Sequence, residues 1–267
     1  MISFEQEYSD RSNNAVAGTG RCIIRNVRNA GKGLLVLIEA AMWLVHVFKR
    51  RQEVGRQMLI VGIKSLGVTS TVALFTGMIL SLQAGLILKD YGQEVNVGIL
   101  VSQTMCREMG PFMTALILAA SVGSAMAAEL GTMTVSEEID ALQVMSINPV
   151  RFLVMPRLFA MMIMCPALTV YTNCIGVVGG GMVAGTQLDV TWSAYYQNAI
   201  SYLELKEIYV GLLKAFVFGI VVSTVSCYQG LATTNGAIGV GHATRRSVVI
   251  SFLMILIIGY FMTRIFY

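Results

Sequence analysis

The chain has 267 residues, of which 55% are hydrophobic and only 13% charged, with 19 Lys and Arg against 15 Asp and Glu for a formal net charge of +4. A soluble domain carries about 25% charged residues, so this surface is too apolar to face water on all sides. The composition excludes a soluble enzyme, a disordered chain, a collagen and a disulfide scaffold. The expected class is an all-α integral membrane protein.

Residues 1–33 are polar, mix acids with arginines and contain no early apolar core, so no signal peptide is expected and the segment reads as a cytoplasmic tail. Residues 34–57 read as an interfacial helix followed by a basic linker. Leu34–Phe48 is too short to cross a bilayer, carries Glu39 and His46, and runs into Lys49-Arg50-Arg51. Five spans are expected within residues 58–267. Their apolar stretches are Ser65–Leu88, Met109–Ala128, Leu158–Leu188, Ile208–Gln229 (joined across Lys214) and Ser247–Thr263. With the N-terminus inside, 13 cations fall on the cytoplasmic pieces and three, Lys89, Lys206 and Arg264, on the other side. That asymmetry orients the chain with its N-terminus cytoplasmic and its C-terminus periplasmic.

Between the second and third spans lies Glu129–Arg157. Thr134 or Ser136 can cap a short helix with Glu137 and Glu138 in its first turn, where the helix dipole favours acids. Val135, Ile139, Leu142 and Val144–Met145 fall roughly on one face, and Asn148-Pro149 ends the helix. Such an element is either a linker resting on headgroups or a docking helix for a cytoplasmic partner.

The third span collects Gly176, Gly179, Gly180, Gly181 and Gly185, a pattern that suits close helix packing. The stretch Gly236–Gly241 lacks a GK[ST] ending, and no nucleotide motif is present. Five cysteines, at 22, 106, 165, 174 and 227, have no metal spacing and read as small buried hydrophobes. With two histidines and no hydrolase motif, neither catalysis nor a metal site is expected.

Charges inside spans are costly and mark either function or a buried pair. Arg107 and Glu108 precede Pro111, in a helix that begins near Val95, and Lys214 interrupts the fourth span. Glu108 and Lys214 reach similar depth, so they are expected to face each other or a pathway near its outer half. The plainer alternative is a structural ion pair or a snorkelling lysine. Leu80, Ala84, Ile87, Leu88 and Tyr91 recur at helical spacing and read either as helix packing or as a greasy wall for acyl chains. Met109 would add a soft surface to that wall. Arg107 or Lys214 could meet a lipid phosphate.

The block at 106–157, CREMGPFMTALILAASVGSAMAAELGTMTVSEEIDALQVMSINPVRFLVMPR, resembles the signature of MlaE/YrbE permeases. FTGMILSLQAGL at 75–86 and GVGHATRRSVV at 239–249 extend the similarity over most of the chain beyond its N-terminal tail. The resemblance implies the permease subunit of an MCE-type ABC transporter in the bacterial inner membrane. That system moves phospholipids between inner and outer membranes and maintains outer-membrane lipid asymmetry. It further implies a homodimer, cytoplasmic ABC ATPase subunits that hold ATP and Mg, a periplasmic MCE-domain hexamer and a place for a small STAS-domain subunit. It implies no enzymatic activity or cofactor in this chain, and no nucleic acid. Residues 129–147 become the coupling helix, with Glu129, Met133, Val135, Glu137, Glu138, Ile139 and Leu142 facing the ATPase. Leu80, Ile87, Leu88, Tyr91, Arg107, Glu108, Met109 and Lys214 become the lipid cavity. Ser121 and Thr134 stand where family members often carry Arg, which removes cations from the ATPase side. The competing readings are an ion-coupled lipid transporter or flippase acting without an ATPase, and a scaffold subunit that does not transport.

Overall fold

A computed structural model describes residues 24, 28, 31–43 and 50–267. The cytoplasmic tail expected over residues 1–33 lies for the most part outside the described residues, as do Cys22 and His46. The described chain is helical, with no strand. Helix α1 covers residues 31–43. The five spans are α2 (Arg51–Lys89), α3 (Glu94–Val135), α5 (Val150–Gln187), α7 (Leu205–Leu231) and α8 (Gly236–Phe266). Two short helices sit between spans: α4 (Glu138–Val144) after α3, and α6 (Trp192–Ser201) after α5.

The spanning helices are longer than the apolar runs in the sequence and extend into the charged residues that flank them. Helix α2 starts at Arg51, so residues 51–57 belong to the first span and not to a linker. Helix α3 runs unbroken through Arg107 and Glu108 and then through Glu129 to Val135.

Helices α2 and α5 form the tightest pair. The buried face of α2 is Ser65, Thr69, Ala73, Gly77, Ser81 and Gly85, a small residue at every fourth position. Its large side chains, among them Ile63, Phe75 and Ile79, point outward. This inversion follows from the solvent: lipid tails are as apolar as leucine, so a span gains by close backbone approach at small residues. On α5, Gly176 and Gly179 fill the same seam. A Cβ on Gly77 would strike the carbonyl of Gly176, and one on Gly179 would strike the backbone of Leu74. The glycine-rich third span is therefore a packing surface.

The central core joins α3, α5, α7 and α8 through Leu118, Val122, Met161, Phe218 and Ile255. At the end of the bundle away from α1, here the far end, α6 folds over the spans. Tyr195 is buried there against Val97, Ala184 and Leu188, and its hydroxyl donates to Val177 O at 3.0 Å. Burial pushes the Tyr195 phenol above its ordinary range. Cys106, Cys165 and Cys227 are buried, as expected of small hydrophobes, but Cys174 is exposed on the outward face of α5.

The other end, here the basic end, carries α1 and α4. Helix α4 differs from its expected form. Thr134 and Ser136 do not cap it: their hydroxyls donate back to Leu130 O (2.8 Å) and Thr132 O (2.9 Å), the i−4 carbonyls, and so prolong α3. The break comes at Glu137, which takes a left-handed conformation (φ 58°), and α4 begins at Glu138. Asn148 does not end α4 either. Its Oδ1 accepts from Val150 N (2.8 Å) and Arg151 N (3.2 Å), capping the start of α5.

Candidate functional site

A charged cluster joins α3, α7 and α8 toward the far end. It is built on a wide π turn over Met105–Met109, a local distortion common at functional sites, which turns Arg107 and Glu108 toward α7. Pro111 follows two residues later. Having no N–H, it cannot bond the carbonyl of Arg107 four residues back. That oxygen accepts instead from Lys214 Nζ at 3.1 Å.

Lys214 is 1% exposed, and its ammonium is fully engaged. Besides Arg107 O, it donates to Glu108 Oε1 at 2.6 Å and to Thr263 Oγ1 at 2.8 Å. The single proton of Thr263 lies within reach of Glu108 Oε1 (2.8 Å) and Gly259 O (2.9 Å). A second pair stands beside the first: Arg107 Nη2 meets Glu207 Oε1 at 2.9 Å. The Arg107 guanidinium lies 3.9 Å from the centre of the Tyr267 ring, and Lys206 lies 4.9 Å from it. The two pairs cancel in charge, which makes their burial tolerable. They are asymmetric in exposure. Lys214 and Glu207 are buried, whereas the Glu108 and Arg107 side chains are 35% and 38% exposed. Two atoms of the cluster, Arg107 Nε and Glu207 Oε2, have no hydrogen-bond partner among the described residues. The open members, one acid and one guanidinium, are thus held in place from behind by closed ones.

Of the two arrangements expected for Glu108 and Lys214, facing each other or facing a pathway, the structure has them paired. Glu207, Thr263 and Tyr267 escaped the sequence reading. Glu207 lies seven residues before Lys214, two turns along the same face of α7, a spacing that could have revealed it. Met109 is half-buried beside the cluster. The proposed acyl wall divides. Leu88 and Ala84 pack on the far-end core around Leu188 and Tyr195, Leu80 is half-buried, and Ile87 and Tyr91 point outward. These residues do not form one lining.

The residues expected to meet an ATPase also divide. Glu129 lies within α3 and not in α4, and pairs with Arg157 Nη2 of α5 at 2.8 Å. Met133 and Leu142 pack with the buried Ile139 against Leu130, Leu153 and Leu158. Val135, Glu137 and Glu138 are exposed, as are Val144 and Met145, so the apolar side chains expected on one face divide between buried and exposed positions. The result is a short helix pinned by Ile139 and Leu142 that presents acids and two apolar side chains outward. Ser121, exposed, bonds Ile117 O of its own helix, and Thr134 reaches Gly230 O of α7 at 3.3 Å.

Among the described residues no group of His, Cys, Asp and Glu could hold a metal ion.

A family model described as Permease MlaE matches residues 54–265. The chain is 40% identical over 212 residues to a "Probable ABC transporter permease protein" of Rickettsia prowazekii (strain Madrid E), covering 79% of this chain and 82% of the relative. It is 31% identical over 258 residues to the "Intermembrane phospholipid transport system permease protein MlaE" of Haemophilus influenzae, covering 95% of this chain and 98% of the relative. It is also 31% identical to the chloroplastic protein TRIGALACTOSYLDIACYLGLYCEROL 1 of Arabidopsis thaliana, over 88% of this chain and 68% of that protein.

Proposed function

The chain belongs to the MlaE permease family and is an ABC permease for phospholipid transport, and we propose that it works as one half of a homodimer whose lipid path opens beside the far-end charge cluster. The observation that carries this reading is the pair of half-exposed groups, Glu108 and Arg107, held by the buried Lys214 and Glu207. A phospholipid needs an apolar surface for its tails and a few fixed polar groups for its headgroup. Arg107 offers a guanidinium to the phosphate. Glu108 offers a carboxylate to an ammonium headgroup.

In this reading the chain lies in the inner membrane with its basic end and N-terminus toward the cytoplasm and its C-terminus toward the periplasm, as the excess of Lys and Arg at the basic end supports. ATP and Mg bind in a partner ATPase that docks on α4, and this chain hydrolyses nothing. Periplasmic MCE domains, arranged as a hexamer, receive or deliver lipid at the far end, and a small STAS-domain subunit completes the cytoplasmic side. Support for ATPase docking comes from α4 itself, whose outward face joins Glu138 and Asp140 to Val144 and Met145.

The test is purification in mild detergent from the native host, with mass spectrometry of everything that copurifies. An ATPase, an MCE-domain protein and bound phospholipid are the expected set. A homodimer without an ATPase, under conditions that preserve other complexes, overturns the ABC assembly in favour of ion-coupled transport. Within that preparation Arg107→Ala lowers the phospholipid retained per protomer. Unchanged lipid content removes Arg107 from the path.

A further inference from the structure

Helix α1 is apolar on two opposite faces. Leu34, Leu35, Ile38 and Met42 fall within about 100° of the helical wheel, and all are exposed. The opposite face carries Val36, Leu37 and the fully buried Ala40, packed on the cluster formed by Leu130, Ile139, Leu153 and Leu158. Ile139 is the side chain that pins α4. Helix α1 and the coupling segment therefore share one apolar cluster.

Two polar links strengthen it. Glu39 Oε1 accepts from Asn148 Nδ2 at 2.6 Å. The Arg151 guanidinium lies 4.6 Å from the centre of the Trp43 ring. Asn148 and Arg151 sit at the start of α5, just past α4. The Asn148 side chain is fully employed at this corner: its oxygen caps α5 through Val150 N and Arg151 N, and its amide bonds α1. At the other end of the segment, Glu137 holds a left-handed conformation that costs energy for a residue with a side chain and persists only where its surroundings enforce it. A short helix between two such corners takes its position from whatever holds them.

We propose that α1 is a clamp on the coupling segment, anchored in the cytoplasmic leaflet by Leu34, Leu35, Ile38 and Met42, with Glu39 as the positioning residue that fixes α4 through Asn148. The inference rests on the ABC reading of α4. The exposed face commits to a lipid surface because it is apolar and flanked by Arg28 and Lys32, exposed cations that suit anionic headgroups. The consequence is that α1 governs how much lipid moves for each ATP, and not whether the ATPase binds.

The experiment uses the intact transporter in vesicles of phosphatidylethanolamine and phosphatidylglycerol, reading fluorescent phospholipid transferred per ATP hydrolysed. Asn148→Asp keeps the oxygen that caps α5 but sets a carboxylate against Glu39. It is expected to lower the transfer ratio about fivefold or more, within what losing a hydrogen bond to a charged group permits, with the ATPase still bound. Adding Glu39→Gln to Asn148→Asp restores a donor–acceptor pair and is expected to return the ratio toward wild type. Ile38→Gln, on the lipid face, is expected to lower the ratio without touching the Glu39 contact. A wild-type ratio in Asn148→Asp, or no recovery in the double variant, overturns the clamp. A wild-type ratio in Ile38→Gln overturns its leaflet anchoring. If the wild-type preparation carries an ATPase and transfers lipid while the clamp variants change nothing, the ABC reading stands and this inference fails. If the wild type carries no ATPase, both fail.

Discussion

Lys214 is the residue on which the far-end cluster turns. Removing it as Lys214→Met leaves the 35% exposed Glu108 without the ammonium it contacts, and is expected to cost about 1–2 kcal/mol, less than breaking a fully buried pair. Thermal unfolding of the purified protein checks this, and Glu108→Gln combined with Lys214→Met is expected to recover most of the loss. Pro111 makes a less obvious contribution. Replacing a proline inside a helix by alanine ordinarily stabilises by up to about 3 kcal/mol. Here the restored N–H competes with Lys214 for Arg107 O, so Pro111→Ala is expected to yield well under 1 kcal/mol of that gain. A full gain in the same unfolding assay would show that the freed carbonyl does not matter. The Glu108–Lys214 pair could be anticipated because charges inside spans are few, and two at similar depth have few other partners. Glu207 could not be seen so readily, because it sits at the edge of its apolar run and resembles a headgroup-level acid. The role of Pro111 depends on which carbonyl it frees and what stands opposite, and only the packed structure supplies that.

At the scale of the helix, the five spans were legible from hydropathy and length, but their faces were not. A span surrounded by lipid is apolar all round, so periodicity of large side chains cannot separate lipid from protein. The discriminating signal is the small residues, and Ser65 to Gly85 at every fourth position mark the buried side of α2. The reading of α4 failed for a related reason: Thr134 and Ser136 were expected to cap a new helix, yet the same hydroxyls bond just as well to the i−4 carbonyls of the helix before. A contrast between two glycines of α2 tests the packing argument. Gly67 has open space where a Cβ would go, so Gly67→Ala is expected to stabilise by about 0.5–1 kcal/mol. Gly77→Ala meets the backbone of Gly176 and is expected to destabilise, by about 1–3 kcal/mol for an overpacked core. Equal effects in thermal unfolding would mean that the α2–α5 seam is looser than described.

At the scale of the whole molecule, two polar assemblies lie at opposite ends of an apolar bundle. The far-end cluster ties α3, α7 and α8 together. The basic end ties α1, α4 and the start of α5 together, with Glu129–Arg157 bracing α3 against α5 beside it. The proposed orientation is open to direct measurement. A cysteine introduced at Val144 is expected to react with a membrane-impermeant maleimide only in inside-out vesicles, and one at Tyr91 only in right-side-out vesicles. The reverse pattern would invert the topology.

The seam between α2 and α5 limits what any transport cycle can do. Side chains at a helix contact can change rotamer and let the helices slide. A carbonyl lodged against a glycine Cα has no such freedom, so these two spans behave as one rigid post. Helix α8 is more exposed along its length, and it joins the rest at several levels: Ser247 on Ser226 Oγ at 2.9 Å, Ile255 in the core, and Thr263 and Tyr267 in the charge cluster. Whatever a cycle moves, it moves against that post.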